Sequence, residues 1–193
     1  MTYAFVLGNG KSRLEVDLHQ LKSFGKIYGC NALYRDFIPD ILVATDKGIA
    51  DDIQFSGYSL DNIFYTRKPL PDLGARQIVD YFGYSSGPIA LSLACKENPT
   101  KIFLIGFDLQ GIEGKFNNVY ADTDHYKKSQ QSETYYGNWV QQIYKITCDY
   151  PKIKITHIAG HTTLKPKEWQ DIIKFESINN FLNAINNNKL DQI

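Results

Sequence analysis

The sequence predicts an α/β fold, a single Rossmann-like domain with a doubly wound, mostly parallel sheet and helices on both faces. Two observations predict it. Short apolar runs rich in β-branched and aromatic residues recur along the chain, and each ends at glycine or polar residues. Stretches with apolar residues at helical spacing separate these runs, and such alternation is typical of a parallel sheet covered by helices.

Six apolar runs predict five or six strands. The runs lie at about 2–7, 26–30, 41–45, 62–66, 101–106 and 152–158. Helical spacing predicts helices at about 14–21, 86–97 and 139–146. The start of the second helix is well marked, because Ser86 suits an N-cap and Pro88 suits the first turn.

The whole chain, residues 1–193, is predicted to form one domain. At this length roughly 70% of the unfolded surface can be buried, which supports a core without disulfides. Residues 107–130 contain glycines, paired asparagines and many polar groups, so a long loop or lid is expected there. Apolar residues at helical spacing between about 167 and 188 predict one or two closing helices.

The composition argues against several classes of function. The 21 lysines and arginines balance the 21 aspartates and glutamates, so nucleic-acid binding is not expected. The three cysteines are far apart and form no C-x-x-C pair, so they predict neither zinc nor a redox pair. Because no basic leader and no long apolar stretch is seen, we expect no signal peptide, no membrane span and a cytoplasmic location.

Residues that follow the predicted strands are the candidates for a ligand site, because the crevice of a doubly wound sheet lies beyond the carboxyl ends of its strands. Gly8-Asn9-Gly10 follows the first strand and allows close approach of an anion to the backbone, and Ser12 adds a hydroxyl. Asn31, Asp46 and Asp108 follow other strands. An ordinary turn between strand and helix is the alternative for the first segment.

Two common phosphate-binding motifs are excluded at this first turn. Gly10-Lys11-Ser12 has the ending of a P-loop, but the first glycine of that motif would fall at Phe5, inside the strand. The dinucleotide fingerprint needs a third glycine where Arg13 stands. The sequence therefore predicts neither an ordinary P-loop NTPase nor an NAD enzyme.

Two histidines are candidates for a general base. His125 lies in the long loop between Asp124 and Tyr126, and carboxylates beside it can orient the imidazole. His161 follows the last predicted strand. A solvated or structural histidine is the alternative for each. The pair Asp122-x-Asp124 has the spacing of some metal sites but does not end an apolar strand, so we expect no metal and no cofactor.

Four segments, in this order and spacing, resemble the bacterial family 42 sialyltransferases. They are Gly8-Asn9-Gly10-x-Ser12, Cys30-Asn31, Ser85-Ser86-Gly87 and Ile102-Phe103-Leu104-Ile105-Gly106-Phe107-Asp108. The resemblance covers most of residues 1–150 and extends to a wider group that includes uncharacterised Rossmann-like proteins and archaeal 6-hydroxymethylpterin pyrophosphokinases. It implies a nucleotide-binding domain.

The resemblance implies that the chain binds a CMP-linked sugar and transfers the sugar, without metal, to a hydroxyl of a glycan or small acceptor. In that family a histidine deprotonates the acceptor and two tyrosines assist the departing phosphate, and Tyr120 matches one of these tyrosines. The predicted catalytic residues are Tyr120, from the resemblance, and the two candidate bases His125 and His161, from their own sequence context. The predicted nucleotide-binding residues are Gly8, Asn9, Gly10, Ser12, Asn31, Asp46, Ser85, Ser86, Gly87 and Asp108.

The sequence departs from the family pattern at the catalytic positions. Ser129 stands where the family histidine is expected, Gln110 replaces the first tyrosine, and Gly83 replaces an arginine. Two alternatives therefore stay open. One is an ATP-dependent pyrophosphokinase that uses magnesium and carboxylates such as Asp46. The other is a non-catalytic binding protein that retains the fold. Homo-oligomer formation also stays open.

Overall fold

The structure is a computed structural model that describes residues 2–193. Its centre is one eight-stranded sheet in which all neighbouring strands are parallel. The strands are β1 (Tyr3–Leu7), β2 (Gly25–Cys30), β3 (Ile41–Ala44), β4 (Phe64–Thr66), β5 (Arg76–Gln77), β6 (Lys101–Ile105), β7 (Lys154–Ala159) and β8 (Lys174–Ser177). Their order in the sheet is β5-β4-β3-β2-β1-β6-β7-β8. The predicted Rossmann-like doubly wound α/β fold is confirmed.

Helices cover both faces of the sheet. They are α1 (Leu18–Leu21), α2 (Lys47–Phe55), α3 (Tyr58–Asp61), α4 (Ser86–Lys96), α5 (Gly137–Asp149) and α6 (Ile178–Asn186). Because side chains alternate along a strand, Phe5 of β1 packs toward Phe181 of α6, whereas Val6 lies in a second core with residues of α4 and α5. Within residues 2–193 no helix has the length and apolar character that crossing a membrane requires.

The structure differs from the predicted secondary structure in several segments. Helices α2 and α3 and the two-residue strand β5 were not predicted. The segment expected to form closing helices, about 167–188, contains a short 3-10 turn, then β8, and only then α6. Apolar residues in so short a segment fit a strand followed by a helix as well as a continuous helix, so their spacing does not distinguish the two. The first helical stretch is a 3-10 turn at Lys11–Glu15 followed by the four-residue α1.

The order of the strands places a topological switch point between β1 and β6. Successive strands extend from β1 to β5 on one side, and the chain then returns to add β6, β7 and β8 on the other side. Open α/β sheets bind ligands at the carboxyl ends of the strands at such a point. The fold therefore directs attention to the turn after β1 and the loop after β6.

A long loop crosses this edge of the sheet. Residues 106–136, which connect β6 to α5 and which we call the crossing loop, include the predicted lid. Val119 N–H donates to the Asn9 carbonyl at 2.8 Å, and Arg35 Nη1 donates to Thr123 Oγ1 at 3.0 Å. The crossing loop is therefore attached to the turn after β1 and to the segment after β2.

A buried histidine in β7 supports the start of the crossing loop. The His157 side chain is fully buried beside Trp169 and Phe175, and its Nε2–H donates to the Phe107 carbonyl at 2.9 Å. Its Nδ1 has no hydrogen-bond partner among residues 2–193. Burial lowers the pKa of His157 to about 4, although the hydrogen bond to Phe107 opposes this shift.

The free energy of unfolding should decrease at acid pH because of His157. In the unfolded chain this histidine binds a proton near pH 6.5, but in the folded protein only near pH 4, so protons favour unfolding between these values. We expect a loss of about 3 kcal/mol as the pH falls through this window. Urea denaturation at pH 7.5, 5.5 and about 4 measures it, with His157→Gln as a variant that cannot titrate. Equal pH dependence in the two proteins would contradict the assignment.

Candidate functional site

A cavity of about 210 Å³ opens at the switch point. The turn after β1, the ends of β2, β3 and β6, the first turn of α4 and the crossing loop form its wall. Nine of the predicted nucleotide-binding residues line it, namely Gly8, Asn9, Gly10, Asn31, Asp46, Ser85, Ser86, Gly87 and Asp108. Ser12 lies behind the wall, where its Oγ donates to the Asp108 carboxylate.

The turn after β1 is held mainly by bonds within the chain. Gly8 N–H donates to the Ile105 carbonyl and Gly10 N–H donates to the Gly106 carbonyl, each at 2.8 Å. The loops approach so closely that a Cβ on Gly8 would lie 2.4 Å from the Gly106 oxygen. Because the N–H groups of Gly8 and Gly10 donate to the chain itself, these two amides are not available to a phosphate in this structure.

Asp108 joins the loops that form the cavity wall. Its side chain is buried, and its carboxylate accepts hydrogen bonds from Ser12 N–H at 3.1 Å and from Ser12 Oγ. It also accepts from Asn117 Nδ2 at 2.9 Å and from Thr163 Oγ1 at 3.2 Å. With four donors around it, this carboxylate is satisfied by the protein itself, so Asp108 supports the wall more than it offers a free acceptor.

The first turn of α4 lies in the cavity wall, and its N–H groups have no hydrogen-bond partner among residues 2–193. Ser85 is the N-cap residue, but its side chain makes no capping bond, and its Oγ instead accepts from Trp139 Nε1 at 3.1 Å. First-turn amides have no intrahelical acceptor, and Pro88 has no N–H. The N–H groups of Ser86 and Gly87, both in the cavity wall, are therefore free to bind an anion.

The Ser86 hydroxyl connects α4 to two strand ends, and it does not act as the predicted cap. It accepts from Thr45 N–H at 3.0 Å and donates to Asn31 Oδ1 at 2.8 Å. Asn31 has a φ of +53°, a left-handed conformation in which asparagine is several-fold enriched. A hydroxyl at position 86 thus fixes three cavity residues relative to one another.

Charged side chains of both signs line the cavity. The acidic residues are Asp46, Asp108 and Glu133, and the basic residue is Arg67. Arg67 Nε and Nη2 donate to backbone carbonyls of the loop before α4 at 3.0 Å and 2.9 Å, so its guanidinium is held at the wall. Arg67 directly follows β4, but it was not among the site residues predicted from the sequence.

Aromatic and amide side chains complete the cavity wall. Phe107, Phe116 and Trp139 line it together with Asn117 and Asn118. Flat aromatic rings can stack on a base, and amides can bond to its edge. Trp139 belongs to a helix that the sequence predicts, but the other four residues lie in the crossing loop, which has no periodic pattern, so the convergence of the five could not have been predicted.

The predicted general bases lie outside the cavity wall. His125 Nε2 is 2.6 Å from Asp52 Oδ2 of α2, and its ring packs over Gly48. His161 is exposed in the loop after β7. Among residues 2–193, no histidine lines the cavity. The sequence suggested that carboxylates next to His125 orient its imidazole. In the structure the imidazole instead pairs with Asp52, which is distant in the sequence.

Tyr120, the third predicted catalytic residue, is buried behind the turn after β1. Its hydroxyl accepts from Arg13 Nη2 at 3.1 Å, and the Arg13 guanidinium lies 5.4 Å from the centre of its ring. Burial raises the pKa of Tyr120 to about 12, although the charge of Arg13 opposes the shift. The phenol is therefore protonated at neutral pH and does not line the cavity.

Comparison with known proteins finds no match: no family model fits the chain, and no curated protein and no solved structure resembles it significantly. The resemblance described above therefore rests on the motifs alone. The function is argued from the cavity and its residues.

Asp108→Asn should destabilise the protein. An amide in place of one carboxylate oxygen would face donors such as Ser12 N–H and leave one of them without an acceptor, at an expected cost of about 2 to 3 kcal/mol. Asp124→Asn, on the exposed part of the crossing loop, is the matched control and should change the free energy of unfolding by less than about 0.5 kcal/mol. Urea denaturation of both variants tests this, and similar losses would show that Asp108 has no special structural role.

Proposed function

We propose that this protein binds a phosphate-bearing nucleotide at the switch point, with the phosphate against the first turn of α4. The observation that carries the proposal is the pair of unoccupied N–H groups at Ser86 and Gly87 in the cavity wall. The end of the helix adds a partial positive charge, and the fixed guanidinium of Arg67 adds a full one.

The remaining wall suits the other parts of a nucleotide. Phe116 and Trp139 offer aromatic surface for a base, and the exposed carboxylates of Asp46 and Glu133 can accept hydrogen bonds from sugar hydroxyls. A volume of about 210 Å³ lies below the usual range for ligand pockets, which starts at roughly 300 Å³. A mononucleotide therefore fits better than a dinucleotide.

The specific ligand that we propose is a cytidine nucleotide-sugar, as the resemblance to family 42 sialyltransferases implies, and the activity is transfer of its sugar to a hydroxyl acceptor. The N–H groups of α4 would stabilise charge on the departing phosphate. Because His125 and His161 do not line the cavity, the base for the acceptor would be a cavity carboxylate, Asp46 or Glu133.

ATP-dependent pyrophosphoryl transfer is the second candidate function. The exposed carboxylate of Asp46 favours it, because one or two carboxylates together with nucleotide phosphates are sufficient to bind magnesium. Among residues 2–193, no cluster of three or more histidine, cysteine or acidic side chains is suited to a metal alone. A nucleotide with its own phosphates would therefore have to complete the site.

Titration calorimetry with CMP, UMP, AMP and ATP should detect binding of CMP without added metal. Binding of ATP only in the presence of magnesium would favour the pyrophosphokinase instead. Binding of CMP with no transfer from any CMP-sugar would favour a non-catalytic binding protein. No heat with any of these nucleotides at millimolar concentration, together with an unchanged Tm, would contradict the proposed function.

Ser85→Asp should weaken CMP binding without unfolding the protein. A carboxylate at the N-cap can accept from first-turn N–H groups and places a negative charge where the phosphate is expected. We expect at least about tenfold weaker binding than in Ser85→Asn, the neutral variant of the same shape. Calorimetry measures the affinities, and urea denaturation checks the fold. Equal affinities in the two variants would argue against a phosphate at α4.

His125→Ala should leave CMP affinity within about twofold of the parent, because the histidine pairs with Asp52 outside the cavity. The lost pair is partly exposed, so we expect less than about 1 kcal/mol of destabilisation. Calorimetry and urea denaturation test both expectations. A large loss of CMP affinity with an intact fold would place His125 in the binding site after all.

A further inference from the structure

A buried arginine lies beneath the turn after β1. Arg13 is 3% exposed and belongs to the 3-10 turn Lys11–Glu15. Its Nη1 donates to Asn9 Oδ1 at 2.7 Å, and its Nη2 donates to the Tyr120 hydroxyl. These acceptors are uncharged, and the ion pairs formed within residues 2–193 do not include Arg13.

Burial of an unpaired guanidinium is costly, because this group stays charged in proteins. An acidic group nearby is Asp36, whose charge acts on the Tyr120 hydroxyl and raises the pKa of that phenol. Asp36 is exposed, so solvent screens its charge, whereas solvent screens the buried guanidinium much less. Arg13 therefore leaves positive potential beneath the turn after β1.

Asn9 connects this charge to the cavity. Its Oδ1 accepts from Arg13, its Nδ2 donates to the Cys30 carbonyl at 3.1 Å, and its backbone carbonyl accepts from Val119 N–H. Asn9 also lines the cavity, so a ligand there would be separated from the guanidinium by one side chain. Without Arg13, the Asn9 side chain would keep the bond from its Nδ2 to Cys30 but lose the bond at its Oδ1.

We infer that Arg13 is a positioning residue that makes the cavity selective for anionic over neutral ligands. The inference rests on the proposed function, because it takes the cavity to hold a nucleotide phosphate. Three carboxylates and one guanidinium line the wall, so the side chains of the wall alone disfavour an anion. The buried charge behind Asn9 offsets this. It occupies the position at which a dinucleotide fingerprint has its third glycine.

The test compares binding of CMP and of cytidine, which lacks the phosphate, in the parent protein, Arg13→Gln and Arg13→Lys. Arg13→Gln should weaken CMP binding at least about tenfold and cytidine binding less than about twofold. Arg13→Lys keeps the charge and should recover part of the CMP affinity. A merely structural role would weaken both ligands equally, and that result would overturn the inference.

Asp36→Asn tests the effect of the Arg13 charge by removing an exposed negative charge near it, and no buried residue is altered. This variant tests the inference even if Arg13→Gln does not fold. Removal of the exposed carboxylate behind Tyr120 should tighten CMP binding about twofold at low salt, with no change for cytidine and a smaller effect at high salt. Asp72→Asn, on the exposed loop between β4 and β5, is the control and should change neither.

The outcomes separate this inference from the proposed function. In one outcome the parent binds CMP, and Asp36→Asn and every folded Arg13 variant prefer CMP over cytidine as strongly as the parent does. Arg13 then does not set the selectivity, and the proposed function stands. If the parent binds none of CMP, UMP, AMP and ATP, both proposals are overturned.

Discussion

The buried carboxylate of Asp108 is the interaction on which the cavity depends. It is the common acceptor for donors from the turn after β1, the crossing loop and the loop after β7. The contact requires a small residue opposite, since a Cβ on Gly10 would lie 2.5 Å from Asp108 Cγ. A carboxylate can accept all four of these hydrogen bonds, whereas an apolar residue at this position would leave several buried donors unpaired. The loops at the switch point are therefore coupled, and a change in one moves the cavity wall formed by the others.

Tertiary hydrogen bonds leave the start of α4 uncapped. A serine at the start of a helix ordinarily accepts from first-turn N–H groups. Here Ser85 Oγ accepts from Trp139, and Ser86 Oγ bonds to Thr45 and Asn31. Each hydroxyl satisfies another donor or fixes another element, and the helix end, which lies in the cavity wall, is left with unbonded donors. The same bonds hold these N–H groups in place, which favours a ligand that accepts hydrogen bonds and carries negative charge.

The sequence predicted the sheet well because parallel strands buried on both faces appear as continuous apolar runs, and β1, β3 and β6 are of this kind. It did not predict β5, which has two exposed residues, or β8, whose one apolar residue, Phe175, also fits the helical spacing around it. For the cavity, the rule that ligands bind beyond strand ends was sufficient to select residues such as Asn9 and Asp46. The crossing loop was different, because no periodicity shows where a 31-residue loop places its side chains, and His125 meets Asp52 across 73 residues.

The cavity also shows why the number of charged residues in a sequence does not tell whether a site prefers anionic or cationic ligands. The chain has 21 basic and 21 acidic residues, and the acidic side chains of the cavity wall outnumber the basic one. Their surroundings differ, however. Asp108 is satisfied by four donors, and Asp46 and Glu133 are exposed, so solvent weakens their fields. Arg13 is buried, so solvent screens its charge less than the charges of Asp46 and Glu133. Arg67 is held in place by hydrogen bonds to two carbonyls. Since screening weakens exposed charges more than buried ones, the cavity can favour an anion despite its acidic wall.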